Sequence, residues 1–521
     1  VNFLEWVVAA QPILLILSSA ALPLLSAFVR RTSVIDLVAA ATSAISLAIS
    51  VYALVAVARF GTLVYRFGGF PPPLGIVYVV DEASATLGLL ATFSLLLSVA
   101  YGSWILEPAS RYLFYATAFL LVAGCTSLFY TADLFNLYVS AELTSISAYV
   151  LTSFYRSRGA AIRAASIYAL SASLVLSLLL LSVFMLYGSY GTLNMADLAL
   201  KSRNPGAWVP FSGTVFGDIV LASKVSLAII AWLMIFKSAI VPNHFWLPGV
   251  YMEAPTPAVA LFTASADIIG VYGAARLLIT VFGAGTVFDG YRRMLLDVLL
   301  VIAAASALIS STLVTSQESV RRIVAYSTIA QYSLAFAGVV SGTLEGVAGA
   351  MLHLVANGLG DALVLYSAGI AAVACGRSLT CLSYLRGYRV AHLALIVGFL
   401  NLFGIIPLLP GFWSKALLTL AMVKAGRPLG AALVLAVSGL CAIGYFRAVA
   451  SSLEPSPMVV RSKGYRGGTV LPIAVLLVLL VATISLGVLL LVSDSIRSFV
   501  VEGIGNSVED YERYIRLVLG S

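Results

Sequence analysis

Charge is what this chain has least of. Only 10% of its 521 residues are Asp, Glu, Lys or Arg, against 61% hydrophobic. A soluble protein of that length could not cover so much apolar surface, so the composition excludes one and points to a polytopic membrane protein. Lysine is rarer still, six of the thirty basic residues. A net charge of +8 would hint at nucleic acid in a soluble chain. Here the basic residues sit mostly between apolar runs, where they set orientation in a bilayer, and no nucleic-acid partner is expected. Cysteine and histidine are also scarce, four and three. Cys125, Cys375, Cys381 and Cys441 lie in or beside apolar segments without a CxxC pattern, so buried thiols are expected and no metal site. No Walker motif, dinucleotide fingerprint or haem spacing occurs. No cofactor is therefore expected, and the chain alone is not expected to catalyse a reaction. The apolar run from Leu4 has no small-residue cleavage site after a basic start and is read as a retained first span.

What the sequence does have is long hydrophobic runs. Broken by Gly, Pro or charge, they give fourteen candidate spans, starting near residues 10, 33, 81, 111, 132, 161, 219, 256, 293, 320, 344, 388, 428 and 470. Between spans two and three, "FGTLVYRFGGFPPPLGIVYVVDE" alternates around a Pro/Gly centre and predicts a small hairpin. "YGTLNMADLALKSRNPGAWVPFSGTVFGD" is a polar loop with room for a short helix. The tail "VEDYERYIRLVLGS" is amphipathic and is expected on the membrane surface or on a partner. Loops after odd-numbered spans hold more Lys and Arg: Arg30, Arg31, Arg156, Arg158, Arg321, Arg322, Arg377, Arg386, Arg389, Arg461, Lys463 and Arg466. That excess places them in the cytoplasm and both termini outside. Arginine over lysine, with abundant Ala, Leu and Val, suggests a prokaryotic, thermophilic archaeal plasma membrane.

Several ionisable residues sit where the membrane should be. Lys237 ends the run "LAIIAWLMIF" five residues before Pro242, and Lys415 follows Pro410 by five. A charged lysine at the bilayer centre costs roughly 2.5–3.5 kcal/mol even on the lenient scale. Snorkelling from helix ends is one explanation of the pair. The other is a pair of hydrated breaks, because proline frees backbone carbonyls that must find polar partners. The segments "FKSAIVPNHFWLPG" and "FGIIPLLPGFWSKALL" echo each other, the pattern of interrupted helices in inverted repeats. Lys224, near the start of its span, is expected to snorkel. Glu142 stands in "LFNLYVSAELTSISAYVLTSFYR" with eight uncharged residues before it and thirteen after. It is either a structural carboxylate or a partner that holds and releases a lysine's proton. Asp133, near the start of the same span, is expected at the interface. In "MLHLVANGLGDALVLYSAG", His353, Asn357 and Asp361 recur every four residues on one helix face. A polar stripe of this kind suits a water-bound relay, although Asn357 can orient a water and cannot hold a proton.

"FKSAIVPNHFWLPGVYMEAPTPAVALFTAS", "SVRRIVAYSTIAQYS" and "GIIPLLPGFWSKALL" resemble signature segments of the antiporter-like membrane subunits of respiratory complex I, membrane-bound hydrogenases and Mrp-type cation/proton antiporters. "FGGFPPPLGIVYVVDEASA" and "GTLNMADLA" are similar to the D-type Mrp subunit and its hydrogenase relatives. The resemblance runs from about residue 65 to 425. It implies an all-α integral membrane protein of about fourteen transmembrane helices, with two inverted five-helix repeats and discontinuous helices 7 and 12. The corresponding parts are residues 1–110, the repeats 111–285 and 286–452, and a last helix with tail at 453–521. It also implies a line of protonatable sites: Glu142 in helix five, Lys237 in helix seven and Lys415 in helix twelve, with Pro242, Asn357 and Pro410 in support. The family often has a lysine in helix eight, where this chain has Ile268 beside Asp267, and often His-x-x-x-His-x-x-x-Lys, where it has His353, Asn357 and Asp361. The implied function is proton (or sodium) translocation within a multisubunit complex, coupled to redox chemistry or to cation/proton antiport. The alternative is a non-conducting structural subunit. Implied partners are other membrane subunits, H+ or Na+, and lipid.

Overall fold

Inside a bilayer every backbone N–H and C=O must bond within the protein, so apolar runs of this length fold as helices. The computed structural model describes residues 3–29, 31–455 and 468–520; Arg30, Arg461, Lys463 and Arg466 lie outside them. Among the described residues, twelve helices are long and apolar enough to cross a membrane. In chain order the first six spans are Phe3–Phe28, Thr32–Phe60, Glu82–Ile105, Arg111–Tyr130, Leu134–Thr152 and Gly159–Tyr190. Span seven begins as Ile219–Lys237 and resumes, after a break, as Leu247–Glu253. Spans nine to eleven are Asp289–Val314, Val320–Val340 and Leu344–Ala374. Span twelve comes in two pieces, Arg389–Phe403 and Pro410–Lys424. Pro428–Leu453 and Val470–Val492 complete the bundle. Spans ten and eleven are buried almost throughout and form its centre, whereas spans two, six, nine and fourteen turn much of their apolar surface outward.

Span eight is also broken, which the hydrophobic pattern did not predict. It runs as Thr256–Thr263, then Ile269–Ala274 continuing as a wide π-turn over Ala275–Val281. The cause is local. Thr263 and Ser265 turn their hydroxyls back onto the carbonyls of Ala260 and Leu261, at 3.0 and 2.5 Å, a competition that bends helices. The Thr263 carbonyl freed by the break is taken by the Tyr332 hydroxyl of span ten at 2.6 Å.

The breaks in spans seven and twelve occur in opposite order along the chain. Lys237 ends the first piece of span seven, and the break follows it. In span twelve the break comes first, and Lys415 lies in the second piece. Two glycines make the span-twelve break compact. Gly404 caps Arg389–Phe403 in the left-handed region (φ +76°), and a Cβ on Gly411 would lie 1.9 Å from the Asn401 carbonyl oxygen. Only glycine lets the two backbones approach this closely.

The smaller sequence expectations mostly hold. Strands β1 (Leu63–Arg66) and β2 (Val77–Val80) form the hairpin, with Leu63 opposite Val80, and Met195–Arg203 is the short loop helix. Two corrections concern the cysteines and the tail. Cys375 and Cys381 are joined in a disulfide, while Cys125 and Cys441 are buried thiols. The spacing of six lets the turn after span eleven bring the two Cα atoms to 5.5 Å, within disulfide reach. The amphipathic tail helix Tyr511–Leu519 lies on the chain itself, with Tyr514, Ile515 and Val518 buried. The strap leading to it bonds the end of span eight: Arg276 Nη1 to the Ser507 carbonyl at 3.2 Å and Thr280 to that of Val508 at 2.6 Å. Arg276 also pairs with buried Asp81. Glu509 of the strap lines a cavity of about 370 Å³ with Arg292 and Arg427. Burial, with the negative charge of Glu345 adding to it, pushes the Glu509 carboxyl up to about 7.

Candidate functional site

Both lysines are buried, 3% and 6% exposed, which removes snorkelling as their explanation. Each sits at the carbonyl end of a half-helix, where the dipole favours a cation. Lys237 is the last residue of Ile219–Lys237. Its ammonium donates to the Ser145 hydroxyl of span five and lies 6.0 Å from the Tyr168 ring. That ring stacks on Trp246, 4.1 Å between centroids, and so closes the break beyond the lysine. Ser145 is one helical turn from Glu142. Among the described residues the glutamate and lysine form no direct ion pair: the lysine bonds Ser145, and the glutamate bonds Tyr138. Glu142 is half-buried on the outward side of span five, with the Tyr138 hydroxyl 3.5 Å away. Lys224, partly exposed and 5.9 Å from the Tyr291 ring, sits apart from this group. Asp133 caps span five by accepting from the Asn136 amide at 2.7 Å.

Lys415 has a fuller set of partners. Its Nζ donates to the carbonyls of Leu402 and Phe403, at 2.7 and 3.0 Å, and to the Ser438 hydroxyl at 2.9 Å. All three ammonium hydrogens have acceptors. Asn401 ties the break to span eleven, donating to the Ala356 carbonyl at 2.7 Å and accepting from the Gly411 amide at 2.9 Å. Pro410 starts the second half-helix, where its missing N–H costs nothing. Pro242, by contrast, lies inside the span-seven break, and the neighbouring Val241 amide bonds Ser306 of span nine at 2.9 Å.

Between the lysines run two buried acids and one histidine. Asp267 lies in the span-eight break and accepts from the Tyr251 hydroxyl at 2.6 Å. Its neighbour Ile268 is buried and apolar. Gly358 of span eleven packs on Ala264 of that break, a Cβ there meeting its Cα at 3.2 Å. This contact brings Asp361, one turn along span eleven, toward the same place. Asp361 Oδ2 accepts from Asn357 at 2.7 Å and from Thr328 at 2.9 Å. Asp361 Oδ1 and Asn357 Oδ1 are buried without a protein partner. On the next residue back along span ten, Ser327 bonds Tyr445, and Tyr445 lies 3.3 Å from Gln331 Nε2. His353 is held on both nitrogens, Nε2 by Gln331 Oε1 at 3.1 Å and Nδ1 by the Ser414 hydroxyl at 2.9 Å. Gln331 Nε2 also reaches the Leu402 carbonyl, at 3.4 Å, which Lys415 shares. Span ten thus touches Asp361 through Thr328 and, through Gln331, both His353 and the carbonyl that Lys415 shares.

The groups along this line can hold or pass a proton. Because Gln331 Oε1 can only accept, His353 Nε2 holds a hydrogen. Ser414 also donates to the Gly411 carbonyl at 3.0 Å, so by rotating it serves either a neutral or a protonated His353. The described residues contain no cluster of three or more His, Cys, Asp or Glu arranged to hold a metal. Sequence reasoning passed over Asp267 as a site residue, although a lone acid in "ALFTASADIIGVYGAAR" was a signal. It had no means of selecting Ser145, Tyr251, Thr328, Gln331 or Ser414, because uncharged polar residues recur throughout the apolar runs.

Comparison with known proteins agrees with this geometry. The family model described as NADH:quinone oxidoreductase/Mrp antiporter, TM, matches residues 131–441. The NADH-quinone oxidoreductase subunit N of Desulforudis audaxviator is 32% identical over 413 residues, covering 77% of this chain and 79% of that protein. A putative antiporter subunit, mnhD2 of Staphylococcus aureus, is 28% identical over 425 residues, 78% of each chain. Among solved structures, a chain of the membrane-bound sulfane sulfur reductase, an archaeal respiratory membrane complex, superposes with a TM-score of 0.85 at 26% identity. The match covers 98% of this chain and all of that one. The chain belongs to the antiporter-like membrane subunits of the NADH:quinone oxidoreductase and Mrp antiporter family.

Proposed function

We propose that the chain is the proton-translocating membrane subunit of a multisubunit complex, with sodium as the alternative coupled ion. The observation that supports this most is the set of buried titratable side chains Lys237, Asp267, Asp361, His353 and Lys415, each bonded to hydroxyls, amides or carbonyls, with half-buried Glu142 at the outer end. Intramembrane ionisable groups on broken helices mark ion paths. In this reading Glu142 and Lys237 exchange a proton through Ser145, the two acids relay it past the span-eight break, and His353 passes it to Lys415. The family's helix-eight lysine is absent at Ile268, and its function passes to Asp267; Asp361 stands in for the central lysine. Relatives named as subunits of larger assemblies support other membrane subunits as partners, and the driving reaction would lie in those subunits. The proposed setting is a prokaryotic plasma membrane with both termini outside, and the proposed repeats are 111–285 and 286–452.

The test is proton uptake by vesicles holding the assembled complex with Lys237→Ala or Glu142→Ala. Loss of uptake in an intact complex is expected. Unchanged uptake with normal assembly would leave the chain as a structural subunit. Replacing Na+ with choline separates the ions, because a proton path keeps working without sodium.

A further inference from the structure

Arg321, which lysine and arginine counting treats as one more charge of a cytoplasmic loop, is buried at 7% exposure and faces another part of the chain. Its Nη1 donates to the carbonyls of Tyr251, Met252 and Ala254, at 3.0, 3.1 and 2.7 Å, and its Nη2 to the Thr256 hydroxyl at 2.7 Å. These acceptors are the carbonyl end of the half-helix Leu247–Glu253 and the first residue of span eight. Arg377 adds a second guanidinium on the Met252 carbonyl. It projects from the turn that the Cys375–Cys381 disulfide closes. Helix ends leave carbonyls without internal partners, and arginine is well suited to take them.

The half-helix so held is only seven residues long. Beyond the break its other end is fixed by the stacking of Trp246 on Tyr168. Between the two anchors lies Tyr251, whose backbone carbonyl Arg321 takes and whose hydroxyl bonds Asp267. Arg321 belongs to span ten, in the second proposed repeat, and the half-helix to the first. Movement of span ten against span seven therefore bears on the Tyr251–Asp267 hydrogen bond.

We propose that Arg321, with Arg377 as its outer partner, is the positioning residue that fixes the second half of span seven so that Tyr251 presents its hydroxyl to Asp267, linking the two repeats at the middle of the path. The proposal rests on the reading of Asp267 as a path residue only for its effect on transport. Its effect on geometry stands apart, and the test uses that separation.

The experiment is an infrared difference spectrum of the assembled complex. Asp267→Asn identifies the Asp267 carboxyl or carboxylate band by its loss, and Tyr251→Phe shows how the band moves when the hydroxyl bond is gone. Arg321→Ala is expected to move the band in the same direction as Tyr251→Phe and to lower proton uptake at least tenfold. Arg377→Ala is expected to move it less and to lower uptake about twofold. If Arg321→Ala does not assemble, Arg321→Lys decides, because it keeps the charge and cannot span four acceptors. A band unmoved in an assembled Arg321 variant, while Tyr251→Phe moves it, overturns the proposal. A band that moves as expected while Asp267→Asn still transports protons leaves the clamp standing and removes Asp267 from the path.

Discussion

Lys237 and Lys415 occupy matching places, each at the carbonyl end of a half-helix beside a break, yet their surroundings differ. Lys415 has an acceptor for every ammonium hydrogen, two of them backbone carbonyls that cannot leave. Lys237 has the single hydroxyl of Ser145, an aromatic ring at 6.0 Å, and a half-buried glutamate one turn further along span five. The first arrangement holds a cation in one geometry, and its ammonium also completes the fold of span twelve. The second leaves a cation free to change partners, and half-buried Glu142 lies toward the outward side of the bundle. In the proposed path the same residue type would serve a fixed end and a switchable end.

The largest expected difference concerns stability. Lys415→Ala leaves the Phe403 carbonyl without a donor and the Leu402 carbonyl with only the 3.4 Å contact of Gln331, at about 1–3 kcal/mol for a buried orphaned group. Thermal unfolding of the purified complex in detergent should show a marked loss for Lys415→Ala. Lys237→Ala, which frees one hydroxyl, should shift it little while abolishing proton uptake. Equal destabilisation by the two would erase the distinction between the fixed and the switchable lysine. A smaller effect is expected at the link itself. Ser145→Ala removes one neutral hydroxyl between Glu142 and Lys237, worth about 1 kcal/mol or roughly a fivefold slower transfer. It should lower the rate of uptake and, because it leaves the buried Lys237 ammonium without its hydroxyl acceptor, lower the melting point as well; Ser145→Thr should restore both.

Much of this organisation was legible in the residues. Apolar run length gave the spans, and a lysine beside proline located the breaks in spans seven and twelve, because charge and proline are both costly in a bilayer and so are conspicuous there. The hairpin was visible in its Pro/Gly centre. The break in span eight was not, because it depends on Thr263 and Ser265 bending the helix and on Tyr332, 69 positions from Thr263, accepting the consequence. The connection between Asp361 and Lys415 was equally hidden: Thr328, Gln331 and Ser414 are ordinary polar residues until three helices bring them together. Spacing showed that His353, Asn357 and Asp361 share a face; it could not show that Asn357 donates to Asp361 while His353 turns to span twelve.

The smallest expected effect lies outside the membrane-spanning helices. The Glu509 carboxyl is raised from 4.5 to about 7, so the docked strap binds a proton more tightly than the undocked chain. Protonation therefore favours docking, fully below about pH 4.5, and the advantage is lost as pH rises to about 7. With the rise of intrinsic exchange with pH divided out, the protection of residues 499–519 should fall between pH 5 and pH 7, and Glu509→Gln should flatten that dependence. A strap that becomes better protected as pH rises would reverse the assignment.

The proposed path turns on its acidic middle, where among the described residues Asp361 is held by Asn357 and Thr328. The most direct measurement is proton uptake by vesicles containing the complex with Asp361→Asn, a change that keeps size and hydrogen bonding while removing the titratable group. The account predicts a complex that assembles normally and no longer takes up protons. Uptake at the unmodified rate would contradict it.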